Sequence, residues 1–394
     1  MNENLRVLRA EPRFSRLLAA SFISGIGDWF NTVAVLSLLF TLTGSGIAVG
    51  ITLALRVFPR LLVGPLAGVL ADRFPRKTIL VLTDLASAGL ALGFLFATAP
   101  GRVWVVYACT VGLVILSIIN QPAWRASLPL LVRPENLLVA NGLSGTVSGS
   151  VMVIGAVLGG VASGALGAEA AFVINSLTFL ASALLTLTIR FPVFSPAVKP
   201  GLTALWEVWP VVRGSRVIQA ILLLAVLWPL GGGVINVLLS VYAIKVFDAG
   251  DVGVGILYGA VGLGLLAGGL LVHRISQRLR HALLAAFVVE GAGHALISQS
   301  PNLALAAALL VVATAGAGIG NAGIGYLLMR AVPHQMLGRM AALQGALASV
   351  TFGLSLLLAG VLLETLPPRS LGLLAGVFIL GAGLVGGCSS GQLR

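Results

Sequence analysis

The stretch GPLAGVLADRFPRKTIL, Gly64–Leu80, puts one acid, three bases and a proline into the seven residues Asp72–Thr78, with long apolar runs on either side. Charged residues make up only 9% of the chain, against about 25% in an ordinary soluble domain. The chain around the cluster is 58% hydrophobic over 394 residues, too apolar for a globule that must show polar side chains to water. Some 20 apolar residues in a helix cross the ~30 Å hydrocarbon core. Twelve such runs are present, at about 17–40, 47–70, 78–99, 103–124, 137–166, 170–189, 217–246, 252–272, 282–299, 303–329, 340–363 and 371–388. A membrane β-barrel requires strands that alternate apolar and polar residues. Stretches such as LLVGPLAGVLA do not alternate. The expected fold is an all-α membrane protein of twelve transmembrane helices.

The net charge of +12 is distributed by topology. With the amino terminus in the cytosol, nineteen Lys and Arg fall on that side, three fall outside (Arg102, Lys245 and Arg369), and Arg56 and Arg60 lie within the second run. That bias follows the positive-inside rule and makes nucleic-acid binding unnecessary as an explanation. Both termini are expected in the cytosol and the chain in the cell inner membrane. The arginine-rich start lacks a small-residue cleavage site behind a short apolar core, so no removed signal peptide is expected. Cys109 and Cys388, with four scattered histidines, supply neither a disulfide framework nor a metal site. No G-x-x-x-x-G-K-[ST] loop occurs, and no cofactor, direct ATP drive or enzymatic site is expected.

An internal repeat runs through the chain at an offset near 200. GVLADRFPRK at Gly68–Lys77 is answered by GLLVHRISQR at Gly269–Arg278, Pro134 by Pro333, and Ser15-Arg16 by Ser215-Arg216. The chain reads as two six-helix halves, residues 1–190 and 216–394, joined by a linker over 191–215. Such repeats place a substrate site near the bilayer midplane between them.

The run Gly68–Lys77 resembles the cytoplasmic signature loop of the major facilitator superfamily. GDWFNTVAVL, RVFPRLLVGPLAG and VPHQMLGRMAAL resemble the branch of drug and siderophore exporters that includes macrolide-efflux proteins and the enterobactin exporter. The resemblance covers essentially the whole chain. It implies that Asp72 faces the amino-terminal end of the eleventh helix and latches the cytosolic gate, in a loop that begins at Gly68 and whose cations Arg73, Arg76 and Lys77 hold it in the cytosol and bind Asp72 or lipid phosphate. A carboxylate gains about 0.3–1 kcal/mol at a helix N-terminus, and Arg339 in the first turn adds a full charge. Pro75 stands where the family has glycine. GAVLGG, with Gly155, Gly159 and Gly160, resembles the antiporter motif of the fifth helix, although Ala156 stands where that motif has proline. Close helix packing is an adequate alternative reading of these glycines.

Charges inside a membrane are costly and mark candidate sites. Asp28 and Arg60 are expected at one depth on adjacent antiparallel helices, close enough to pair, with Arg56 and Asn31 each one turn away. Asp28 is the leading candidate for proton coupling or substrate contact. Glu290 and His294, one turn apart, form a second candidate pair, and Asp84 is expected to order the loop beside Arg76. The expected function is a secondary transporter, a proton-coupled exporter of amphiphilic small molecules, with protons, substrate and membrane lipid as partners, no nucleic acid, and a monomeric state. The alternatives are a siderophore or metal-ion exporter and, in another class, a non-transporting sensor or scaffold on a transporter fold.

Overall fold

The computed structural model describes residues 3–98, 101–192, 209–275, 279–332 and 336–389, and these form helices with no strand among them. In chain order they are α1 (Glu3–Ala10), α2 (Pro12–Thr43), α3 (Gly46–Leu55), α4 (Pro59–Arg73), α5 (Arg76–Gly93), α6 (Val103–Leu131), α7 (Leu137–Leu166), α8 (Ala168–Leu187), α9 (Trp209–Gly214), α10 (Arg216–Val241), α11 (Gly250–Ile275), α12 (Leu279–Ser298), α13 (Leu303–Ala331), α14 (Leu337–Leu362) and α15 (Pro368–Ser389). Nine of the described helices are long and apolar enough to cross a membrane. The shorter apolar helices Gly46–Leu55, Ala282–Ser298 and Pro368–Gly383 stand at the second, ninth and twelfth expected runs.

Local chemistry sets the ends. Gly44, at φ +63°, closes α2 with its N–H on the Phe40 carbonyl, a left-handed position that glycine adopts without Cβ strain. Ser45 then caps α3 by accepting from the Ile47 N–H at 3.1 Å, and Asn302 caps α13 through the Leu305 N–H at 2.9 Å. The second expected run, 47–70, is not one helix. It breaks at residues 56–58, because Pro59 lacks an N–H and starts a fresh helix at its first position. The expected linker falls largely on residues 193–208, outside the described ones, and α9 occupies its end.

Close packing divides the chain into two units. The first holds the described residues of Met1–Gly44, Phe58–Val198 and Gly250–Gly259. In it α2 packs on α7 and α8, α5 on α6 and α8, and α4 on α6. Phe14, Leu17, Ile79, Leu80, Ala123 and Ile189 form one core, and Phe30, Phe94, Val106 and Phe172 another, with the Phe94 and Phe172 rings stacked 5.1 Å apart. α8 shows why this unit suits lipid. Val173, Leu177, Leu180 and Leu184 are exposed along one face, whereas Asn175, Ser176, Ser182 and Thr186 are buried on the other. Apolar side chains face outward and hydrogen-bonding ones inward, the arrangement that hydrocarbon solvent selects.

The second unit holds the described residues of Ser45–Val57, Lys199–Ala249 and Ala260–Arg394. Here α12 packs on α13 and α15, and α10 and α3 on α14. Its core gathers Ile218, Ile221, Phe287, Ile324, Leu328 and Met340. Small residues admit close crossings, as membrane helices require. A Cβ on Gly318 would stand 2.7 Å from the Leu265 carbonyl oxygen, and one on Gly50 2.6 Å from that of Leu356.

Candidate functional site

Four helices of the first unit carry polar side chains at helical spacing within otherwise apolar sequence. α2 offers Ser21, Ser24 and Asp28; α5 offers Thr83, Asp84 and Ser87; α6 offers Ser117, Asn120, Gln121 and Arg125; α7 offers Asn141, Ser144 and Ser148. Spacings of three, four, seven and eight, with Thr83 and Asp84 adjacent, put each set on one helix face. These faces converge on one cavity of about 610 Å³, within the usual size of small-molecule sites.

The cavity wall is hydrogen-bonded across helices. Asp84 is buried; its Oδ2 accepts from Ser182 at 2.6 Å and its Oδ1 lies 3.5 Å from the Asn120 amide nitrogen. The same amide donates to Thr83 at 2.7 Å. The Trp124 indole N–H is buried and has no partner among the described residues, which leaves a donor at the cavity wall. Asp84 therefore ties α5 to α8 and α6 and lines the cavity. The expectation that it orders the loop beside Arg76 fails, because the buried face of α5 carries it inward.

Asp28 is half-buried and lines the cavity, and the Thr32 hydroxyl donates to its backbone oxygen at 2.6 Å. Asn31 is buried in the packed length of α2 and is not part of the lining. Arg60 is exposed at the start of α4 and pairs with no acid among the described residues. The Asp28–Arg60 pair expected from helical register does not form, because the break before Pro59 resets that register. Arg56, half-buried, follows the last residue of α3.

Of the expected latch, Gly68 and Asp72 lie on α4 and Arg339 in the first turn of α14, and their side chains fall outside the described residues. Arg73 is exposed and Arg76 half-buried. Lys77 caps α8. Its Nζ donates to the Leu187 carbonyl at 2.6 Å and to the Ile189 carbonyl at 3.0 Å, satisfying acceptors that a helix end leaves open. Pro333, the repeat partner of Pro134, lies outside the described residues. At the near end of α2, Glu11 accepts from Arg133 Nε at 2.9 Å and from Asn136 at 2.8 Å. Burial alone would raise its carboxyl; these donors outweigh it and hold the group below its ordinary value.

Gly155 and Gly159 face α2, where a Cβ on Gly155 would reach Trp29 Cβ at 2.9 Å and one on Gly159 the Phe30 Cα at 2.9 Å. Gly160 faces the start of α11, 2.6 Å from the Asp251 carbonyl oxygen by the same measure. In the second unit, Glu290 and His294 are both buried. Glu290 Oε1 accepts from Trp228 Nε1 at 2.9 Å, and Oε2 has no partner among the described residues. The expected Glu290–His294 pair is thus replaced by a Glu290–Trp228 bond between α12 and α10. No cluster of three or more metal-ligating side chains occurs among the described residues.

Apolar membrane-length helices around a polar cavity define a multi-pass membrane transporter. Residues 17–349 match the model of the Major Facilitator Superfamily, and the chain belongs to that family. It is 30% identical to the uncharacterized MFS-type transporter YfiS of Bacillus subtilis over 45% of this chain and 42% of that protein. With macrolide efflux protein A of Streptococcus pyogenes it shares 24% identity over 93% of both chains. With the enterobactin exporter EntS of Citrobacter koseri it shares 28% over 71% of this chain and 68% of that protein. Among solved structures it is similar in fold to a bacterial homologue of the human lysosomal transporter Spinster, crystallised inward-facing and unoccupied, with a TM-score of 0.75, 17% identity, and coverage of 96% of this chain and 97% of that one.

Proposed function

We propose that this transporter exports amphiphilic small molecules by alternating access, driven by proton entry, with Asp28 as the group that exchanges the proton or meets the substrate. One observation carries the reading: Asp28 is an ionisable side chain within a membrane helix, and it borders a cavity of about 610 Å³. An intramembrane acid costs at least ~2.5–3.5 kcal/mol on insertion scales, which favours a working role over an idle one. Export is supported by the names of relatives that cover most of the chain, one a macrolide efflux protein and one an enterobactin exporter. The alternative of siderophore export draws on the second of these and on Arg125 in the cavity lining, since a guanidinium suits an anionic oxygen-rich ligand.

The decisive experiment reconstitutes the protein in liposomes, imposes a pH gradient, and follows efflux of macrolides, lipophilic cations and catecholates. Gradient-dependent efflux of an amphiphile that Asp28→Asn abolishes supports the reading. Efflux indifferent to the gradient refutes proton drive, and transport of catecholates alone selects the alternative. We further infer a monomer in the cell inner membrane; for both termini and the Asp72 loop in the cytosol the support is nineteen basic residues against three. Reporter fusions at Arg102 and Lys199 read that topology directly. The two repeats, 1–190 and 216–394, are the halves that would exchange access.

A further inference from the structure

The cavity occupies the part of α2 and α7 nearer their amino-terminal ends, Leu18–Asp28 on one and Asn141–Ser148 on the other. Beyond Asp28 the wall closes, and Phe30 to Ser37 are buried without interruption. Ser37 lies nine residues past Asp28, about 13 Å further along the axis. There its hydroxyl donates to Oδ1 of Asp251. The other carboxylate oxygen, Oδ2, accepts from Ser163 on α7. Asp251 stands in the first turn of α11, so one carboxylate holds together three helix segments that are far apart in sequence.

The backbone around it is shaped for this contact. A Cβ on Gly160 would lie 2.6 Å from the Asp251 carbonyl oxygen, and one on Gly255 would collide with the Ala156 carbonyl. α7 and the start of α11 therefore touch backbone to backbone, and Trp29 of α2 packs on Tyr258 with centroids 5.5 Å apart. Within the second unit a crossing of the same design recurs at the repeat offset, Gly360 standing where Gly160 does. Gly46 and Gly50 of α3 meet Gly360 of α14, and beside them Ser45 donates to Glu364 at 3.0 Å. Each crossing thus joins a serine to a carboxylate, but the acid comes from α11 in the first and from just past α14 in the second. The first is the tighter, with two hydroxyls on a half-buried acid against one on an exposed pair.

We propose that Asp251, with Ser37 and Ser163, is the fastener that keeps the end of the first unit remote from the amino terminus shut, and that it must release for cargo to leave at that end. Asp251 touches no cargo; it is a positioning residue for the start of α11. Hydroxyl-to-carboxylate bonds suit the role because each is a charge-assisted bond while made, yet carboxylate and hydroxyls are readily rehydrated once parted. A Leu–Leu contact offers no such exchange in water.

The test places spin labels at Leu42→Cys and Val252→Cys, both exposed sites in the first unit, in the full chain with Cys109 and Cys388 replaced by serine and reconstituted in lipid. The interspin distance follows the end of α2 against the start of α11. Asp251→Ala is expected to add a longer-distance population, and Asp251→Asn, which retains an acceptor oxygen, a smaller one. Ser37→Ala combined with Ser163→Ala should reproduce the Asp251→Ala distribution, and adding Asp251→Ala to that pair should change nothing more, because the three residues act as one bond set. A distance distribution in Asp251→Ala identical to that of the labelled parent overturns the proposal. So does additivity of the serine and aspartate changes. If Asp251→Ala does not fold, the serine pair alone decides: a longer population supports the fastener, and an unshifted one overturns it.

Discussion

Two buried acids, one in each unit, are treated differently by their surroundings. Asp84 borders the polar cavity and has both oxygens engaged, by Ser182 and Asn120. Glu290 borders none of the described cavity; one oxygen takes the Trp228 indole N–H and the other has no described partner. A buried polar group costs free energy unless hydrogen-bonded, so Asp84 belongs to a wall that satisfies its carboxyl group, whereas Glu290 sits in a half-satisfied site. The contrast teaches that burial of an acid does not by itself identify a transport site. What separates the two is whether other polar side chains share its face and open on space.

The comparison breaks first at Asp28. If the cavity acids carry transport, Asp28→Asn lowers gradient-driven efflux in liposomes about a hundredfold, roughly 2.8 kcal/mol, while Glu290→Gln changes it less than about twofold; the reverse ranking would move the working site to the second unit. Next, Asp84→Ala strands the Ser182 hydroxyl, while the Asn120 amide keeps its bond to Thr83, and should cost about 1–3 kcal/mol of stability, measured by thermal unfolding in detergent, with Asp84→Asn milder because it keeps an acceptor. Two indoles sharpen the contrast further. Trp228→Phe removes the one described donor to Glu290 and costs about 1–2 kcal/mol, whereas Trp124→Phe breaks no described bond, leaves stability within about 0.5 kcal/mol, and shifts only the substrate concentration for half-maximal efflux.

The smallest effect concerns a third acid, Glu11, held by Arg133 and Asn136. Its carboxyl is lowered from the ordinary value, so its contribution is fully present above the ordinary carboxylate range and is lost as pH falls through the lowered value. Glu11→Gln should therefore unfold at a lower temperature than the parent at neutral pH. The two melting temperatures should converge on acidification, and a gap independent of pH would show that charge plays no part.

Helical class and the positions of all twelve apolar runs were legible because hydrocarbon imposes length and composition on every span. The break at residues 56–58 was legible too, in Pro59, yet a continuous apolar run conceals it. The cavity stripe was written in the sequence as Ser21, Ser24, Asp28 and as Asn141, Ser144, Ser148, a polar period of three to four inside apolar helices. Charges alone do not reveal it, because apart from Asp28 these residues are serines and an asparagine. What no local pattern carries is partnership at long range. Trp228 lies 62 residues from Glu290 and Lys77 110 from Leu187, and only tertiary packing brings such groups together. For Glu290 the neighbouring His294 was the nearer expectation, and Trp228 takes that place.

Because the first unit includes Gly250–Gly259, it is not a continuous stretch of chain, and this has a bearing on biosynthesis. When Leu187 at the end of α8 is added to the growing chain, about seventy residues must still follow before Gly259 exists. At roughly 5–20 residues per second the unit waits some 4–14 s for its final piece. Throughout that interval Ser37, Ser163 and the backbone at Gly160 face lipid or a passing helix in place of Asp251 and Gly255. The first unit of the newborn chain is thus still incomplete when α2 to α8 have already been made, and a slow codon between Arg216 and Asp251 would lengthen that window without altering any residue of the finished protein.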